Sequence, residues 1–184
     1  MNKSPNLVCR TRSTLLVIDV QEKILPAIDN LQIVDNVNRL LAGSRLFGIP
    51  VTVTEQYPRG LGTTVAGLQL DNCPGLAVLE KTTFSCREHR DHFQELKRLG
   101  RHQVVVTGIE SHICVAQTCL DLAEMDFQVF LVVDAIGSRD PGNSQVALSR
   151  LFHDVIPLPT ESVLFEWCEN SADDNFKEVR KWVR

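Results

Sequence analysis

No stretch of this 184-residue sequence approaches the roughly 20 continuous apolar residues of a membrane span. Nor does Met1 to Arg12 hold an apolar core of signal-peptide length. A membrane is therefore not an expected partner, and the expected compartment is the cytoplasm. Basic clusters are also missing: 19 Lys+Arg stand against 23 Asp+Glu, a formal net charge of -4. Lys97-Arg98 and Arg180-Lys181 are isolated pairs on expected helix surfaces, so nucleic acid is not an expected partner either. The six cysteines (Cys9, Cys73, Cys86, Cys114, Cys119 and Cys168) include no C-x-x-C pair. In a reducing compartment such scattered thiols are expected to be free, and each is then either packing or chemistry. No internal repeat and no linker breaks the chain. Its length, with 43% hydrophobic and 23% charged residues, suits one soluble domain over residues 1–184.

What is present is an alternation of short apolar runs and helical periods. Leu15-Leu16-Val17-Ile18 reads as a buried strand ending at Asp19. Over residues 30–47, Ile33, Val34, Val37, Leu40 and Leu41 recur at helical spacing, and Gly48 and Pro50 stop the helix. Val51 to Thr54 reads as the next strand. Residues 55–74, rich in Gly, Pro and Thr, read as a long irregular excursion. Ala77-Val78-Leu79 is a short strand leading to Glu80-Lys81. Ser85 and Glu88 have capping-box spacing, opening a helix whose inner face is expected to hold Phe93, Leu96 and Leu99 before Gly100. Val104-Val105-Val106 runs into Gly108-Ile109-Glu110, and Val115, Thr118, Cys119 and Leu122 share one helix face. Val129 to Val133 is a strand, Asp140-Pro141 can start a helix carrying Val146, Leu151 and Phe152, and Val155-Ile156 is a last strand. Phe176 and Val179 belong to a terminal helix. Strands alternating with helices predict a doubly wound α/β domain with a mainly parallel sheet.

In such sheets sites form beyond the carboxyl ends of the strands. Asp19, Glu55, Lys81 and the Gly108 to Cys114 loop each follow a strand and should share one edge, with Asp134 and Asp140 near it. Cys114 is the cysteine best placed for reactivity, since a helix start and a nearby Lys would both lower its pKa and a carboxylate could take its proton. Taken alone, the plainer reading is a small hydrophobe at a helix start. Asp19 alone reads as a cap or turn residue, and Lys81 as a surface lysine. His89 and His92 share a face but read as exposed helix surface rather than as a ligand pair.

In combination these residues carry more. Leu15-Leu16-Val17-Ile18-Asp19-Val20-Gln21, Glu80-Lys81-Thr82-Thr83-Phe84-Ser85 and Thr107-Gly108-Ile109-Glu110-Ser111-His112-Ile113-Cys114-Val115 resemble, in order, the three motifs of the isochorismatase-like cysteine hydrolases. The likeness runs from about Ser13 to Val155. It implies a three-layer α/β/α fold, a Cys114-Asp19-Lys81 triad, an acyl-enzyme on Cys114, and a homo-oligomer. It further implies a cis Ile109–Glu110 peptide and an oxyanion hole from the backbone N–H groups of Glu110 and Cys114. Residues 54–62 lack the His residues with which the nicotinamidase branch holds a metal, so no metal and no cofactor is expected; the Glu-Gln-Tyr-Pro-x-Gly-Leu-Gly stretch resembles the isochorismatase-domain-containing group. Gln21, Glu55, Gln56, Tyr57 and His112 are the candidate substrate-binding residues, although Tyr57 reads equally as a loop anchor and His112 as a turn residue. The leading expectation is hydrolysis of a C–N bond in a small-molecule amide. A non-catalytic binding member and a redox thiol protein remain as alternatives, the second needing a resolving cysteine near Cys114.

Overall fold

In a computed structural model, which describes residues 4–28, 30 and 32–183, six strands form one sheet. Met1 to Lys3 of the amino-terminal stretch read above lie outside the described residues. The strands are β1 (Ser13–Ile18), β2 (Val51–Gln56), β3 (Ala77–Lys81), β4 (Gln103–Ile109), β5 (Gln128–Gly137) and β6 (Ile156–Leu158). Their order is β3-β2-β1-β4-β5-β6, and every neighbouring pair is parallel. The winding reverses between β1 and β4, which makes their carboxyl ends the switch point where a crevice opens.

Successive side chains of each strand serve opposite layers, and both layers are apolar. Leu15, Val17, Val51, Val53, Val105 and Phe130 pack on one face with residues of α1 (Ile33–Phe47). Leu16, Ile18, Val104, Val106, Val129 and Leu131 pack on the other. That double burial explains why the central strands are continuous apolar runs rather than alternating ones. A one-turn helix, α2 (Pro58–Leu61), follows β2. The second face is covered by α3 (Arg90–Arg98), α4 (Ala116–Glu124) and α5 (Pro141–Leu151), through Phe93, Leu96, Cys119, Leu122 and Leu151. The first face is completed by α6 (Thr160–Cys168) and α7 (Phe176–Trp182), through Val163, Leu164, Trp167 and Val179. The indole of Trp167 donates to Ser13 Oγ at 2.9 Å, anchoring α6 to the start of β1. The result is the expected three-layer α/β/α fold.

Several local expectations need correction. Leu99 lies outside α3 and is exposed, because the chain turns at Gly100 before that side chain reaches the core. Val146 and Phe152 are also exposed, so α5 holds the sheet through Ala147 and Leu151. Only half of the capping box forms. Ser85 Oγ accepts from the Arg87 N–H, but Glu88 turns back to Thr82 N, Thr83 N and Thr83 Oγ1. His92 is half-buried and bonds Thr52 Oγ1 at 2.8 Å, so it is not a plain exposed residue. Asp134 lies within β5 and accepts from Thr160 N and Oγ1, capping α6. Asp140 caps α5 through the Gly142 N–H, as its place before Pro141 suggested.

Candidate active site

Two backbone features fix the switch point. β1 is followed directly by Asp19, a non-glycine residue at φ 53°, whose N–H bonds Thr54 O across to β2. On β4, Gly108 has φ 116°, and a Cβ there would stand 2.1 Å from Ile18 O. Only glycine lets the two strand ends approach so closely. The register of β4 against β5 shifts between Val106 and Gly108, and the next peptide, Ile109–Glu110, is cis as expected. The chain then makes a single π turn, Ser111–Val115, carrying Cys114 into α4.

Lys81 arrives from the end of β3 and is almost fully buried. Its ammonium donates to Asp19 Oδ2 at 2.7 Å, Gln56 Oε1 at 2.7 Å, Phe84 O at 3.0 Å and Thr83 O at 3.3 Å. Asp19 Oδ1 accepts from Thr54 Oγ1 at 2.7 Å, and the Cys114 thiol stands close enough to the same carboxylate for each to shift the other's pKa. The three side chains thus form one group, thiol beside carboxylate beside ammonium. Glu88 serves it indirectly, by pinning the Thr82-Thr83 turn, whose Thr83 carbonyl receives the lysine while the Thr82 carbonyl receives Gln56.

The electrostatics correct one expectation. Burial raises the Asp19 carboxyl above its ordinary value, with Lys81, Thr54 and the Cys114 thiol pulling the other way. Burial, followed by the adjacent Asp19 charge, pushes the Cys114 thiol up to about 12, against a lowering by Lys81. A lowered thiol pKa was expected from the sequence. It does not arise, because burial outweighs the pull of Lys81, and the lysine is in addition paired with Asp19, whose own charge raises the thiol further. Cys114 rests as a thiol beside a base.

A cavity of about 380 Å³ opens on Cys114. Ile24, Ala27, Leu61, Phe84, Ile109 and Ile113 give it apolar walls, and Lys23, Gln56, Glu110 and Arg139 supply its polar groups. Asp19 and Lys81 do not line it, so a bound molecule would meet the trio through the sulfur. Of the candidate binding residues, Gln56 reaches the cavity. Gln21 is fully buried and ties β2 to the following loop, donating to Gln56 O and Gly62 O and accepting from Gln56 N. The Glu55 carboxylate is engaged by Thr64 N and Oγ1. Tyr57 lies outside the cavity, half exposed against Gly60, in keeping with a loop anchor. His112 bonds Ser138 Oγ at 2.9 Å and Asn143 Nδ2 at 3.5 Å, away from the cavity.

Sequence reasoning missed Lys23, Ile24, Phe84 and Arg139. Phe84 stood within the Lys81 motif and could have been found there. Arg139 carries no local signal: it reaches the site only because β5 lies beside β4 and its guanidinium pairs with Glu110. Among the described residues no group of three or more His, Cys, Asp or Glu is placed to hold a metal ion.

The chain matches the family model described as Isochorismatase domain over residues 13–161. It is 40% identical over 172 residues to isochorismatase domain-containing protein 2 of Danio rerio, covering 92% of this chain and 85% of that one. It is 37% identical over 174 residues to isochorismatase domain-containing protein 1 of the same organism, covering 94% of this chain but 61% of the longer relative. Among solved structures it is similar to one described as MAR1 ribonuclease from Caenorhabditis elegans. That match has a TM-score of 0.88 and 33% identity, covering 96% of this chain and 92% of that one.

Proposed function

Because the chain belongs to the isochorismatase domain family, we propose that it is a cysteine hydrolase cleaving the C–N bond of a small amide through an acyl-enzyme on Cys114. The observation that carries this reading is the grouping of Cys114 on the cavity wall with the buried Asp19–Lys81 ion pair behind it, close enough for carboxylate and thiol to shift each other's pKa.

In the first step the Cys114 proton passes to Asp19 while the sulfur attacks the carbonyl carbon, whose π electrons move onto oxygen. The raised Asp19 pKa makes it a stronger base than an ordinary carboxylate, and Lys81 keeps it oriented. The backbone N–H groups of Glu110 and Cys114 receive the oxyanion, each donor worth roughly 3 kcal/mol. Collapse expels the amine with the proton held by Asp19 and leaves a thioester. Water then attacks, Asp19 takes its proton, and the thioester opens to a carboxylic acid and the restored thiol. Gln56 contacts the substrate from the cavity wall, while Gln21 sets its backbone; Glu55, Tyr57 and His112 act at one remove by shaping the surrounding loops.

The reading takes residues 1–184 as one hydrolase domain acting in the cytoplasm, where its six free cysteines stay reduced. It also takes the protein as a homo-oligomer, with exposed Tyr57, Val78, Val146 and Phe152 available for contact. A nucleic-acid substrate, as the description of the Caenorhabditis elegans protein would suggest, finds less support. The chain is net acidic, and the cavity beside the thiol is sized for a small molecule.

Incubation with a panel of small primary amides, followed by intact mass and ammonia release, tests the proposal. The expected result is an acyl adduct on Cys114 with turnover that disappears in Cys114→Ala. Turnover that survives Cys114→Ala rejects the nucleophile, and a panel giving neither adduct nor ammonia favours the binding reading.

A further inference from the structure

The cavity beside Cys114 is apolar along its walls but not electrically neutral. Lys23 and Arg139 line it, against one carboxylate, Glu110. That carboxylate is itself buried and committed. Its Oε2 accepts from the Arg139 backbone N–H at 2.9 Å, and Arg139 Nε lies 3.1 Å from Oε1 and 3.2 Å from Oε2. The guanidinium is therefore held by its Nε edge. Its two Nη nitrogens have no partner among the described residues, and the side chain is 64% exposed. Among the described residues, the Lys23 ammonium has one hydrogen-bond partner, Gly60 O, at 2.9 Å. Counting Lys23, Arg139 and Glu110, the lining carries one net positive charge.

A planar cation fixed along one edge, with a free pair of parallel N–H groups, is the geometry that receives a carboxylate end-on. We propose that Arg139, assisted by Lys23, binds an anionic group of the substrate, so that the amide cleaved at Cys114 is an amido acid with a compact apolar body. The inference rests on the hydrolase reading for what happens at the sulfur, but not for the anion site itself. Glu110 then has two jobs: on the hydrolase reading its backbone N–H receives the reacting oxygen, and its side chain aims the guanidinium. The same residue therefore sets the separation between scissile carbonyl and anion, and the cavity of about 380 Å³ limits that separation to a short acyl chain.

The test compares two electrophiles that differ in charge but share their leaving group, iodoacetate and iodoacetamide. Second-order rates at Cys114 are read by peptide mass in a Cys9→Ser background. Their ratio is then divided by the same ratio for free cysteine. Because the ratio is taken within each protein, a variant that loosens the site affects both reagents and cancels. The expected preference for iodoacetate is about tenfold or more over free cysteine, the scale of one charge-assisted contact. Arg139→Gln should remove most of it, and Arg139→Lys, which keeps the charge without the paired N–H groups, should retain part. Lys23→Gln should lower it by a smaller factor. A normalised ratio near one in the parent protein overturns the proposal, as does a preference that persists in Arg139→Gln. A protein that prefers iodoacetate yet hydrolyses no amide keeps the anion site and loses the hydrolase reading. One that hydrolyses neutral amides without that preference does the reverse.

Discussion

Lys81 spends its charge on Asp19, and that sets the chemistry available to Cys114. A thiol beside an unpaired, solvated ammonium would ionise below its ordinary value, whereas burial first and the neighbouring Asp19 charge second push this one up to about 12. On the hydrolase reading, the resting nucleophile is thus a thiol whose proton must leave during attack, and the Asp19 carboxylate beside it accepts that proton. The pH dependence follows with a definite sign. Alkylation of Cys114 by iodoacetamide should climb steadily with pH through the range where a free thiol levels off, with no plateau before about 12. Amide turnover should instead follow Asp19. It is lost as pH falls through a carboxyl value above the ordinary one, because a protonated Asp19 cannot take the thiol proton. An alkylation plateau between about pH 6 and 8 would mean a preformed thiolate and would overturn this account. The sequence-based expectation failed here for an identifiable reason. Residue types at Asp19, Lys81 and Cys114 could be read from motifs, but the burial of the thiol and the pairing of Lys81 with Asp19 are three-dimensional facts.

Between elements, the site depends on how closely β1 and β4 end together. Gly108 allows that approach, since a Cβ would meet Ile18 O at 2.1 Å and the φ of 116° is itself disfavoured for other residues. Gly108→Ala should separate the strand ends, moving Asp19 away from the turn that carries Cys114. The expected cost is about 3 kcal/mol or more, with amide turnover lost. Gly48→Ala is the matched control: it too has positive φ, at 66°, but nothing lies within 4 Å. It should cost only about 1 kcal/mol. Urea midpoints for the two variants decide the matter, and equal losses would show that contact with Ile18 O is unimportant. The same scale marks what was legible in the sequence. The central strands were readable because both faces are buried and their runs are continuously apolar. The helix Thr160–Cys168 was not, since its cap comes from Asp134, 26 residues away on β5, and no local signal announces it. Arg139 was missed for a similar reason, its partner Glu110 lying 29 residues earlier on a neighbouring strand's end.

Across the whole molecule the six thiols are unevenly placed, and two consequences follow. Cys9 is only partly buried. Burial raises its pKa, but hydrogen bonds from Thr11 and Arg12 outweigh that and leave it lowered. A general thiol reagent should therefore find Cys9 before Cys114, so first reactivity does not by itself identify the nucleophile. The buried thiols act in the opposite direction. Cys86 is pushed up to about 11 and Cys114 to about 12, both chiefly by burial, and Cys119 is raised for the same reason. In the unfolded chain each would ionise near its ordinary value, so above that value the unfolded state releases protons that the folded state keeps. Stability should then fall as pH rises, by about 1.4 kcal/mol per pH unit for each such thiol, until the folded value is reached. Three buried thiols share this slope, so the informative quantity is a difference between proteins. Cys119 is the residue to remove, being buried in the second-face core and away from the reacting atoms. Urea unfolding of the parent and of Cys119→Ala, compared between pH 9 and 10, should show the variant less stable throughout. Its slope with pH should be shallower by about one proton's worth. If the two slopes coincide, Cys119 already ionises in the folded protein and the second-face core is wetter than its packing implies.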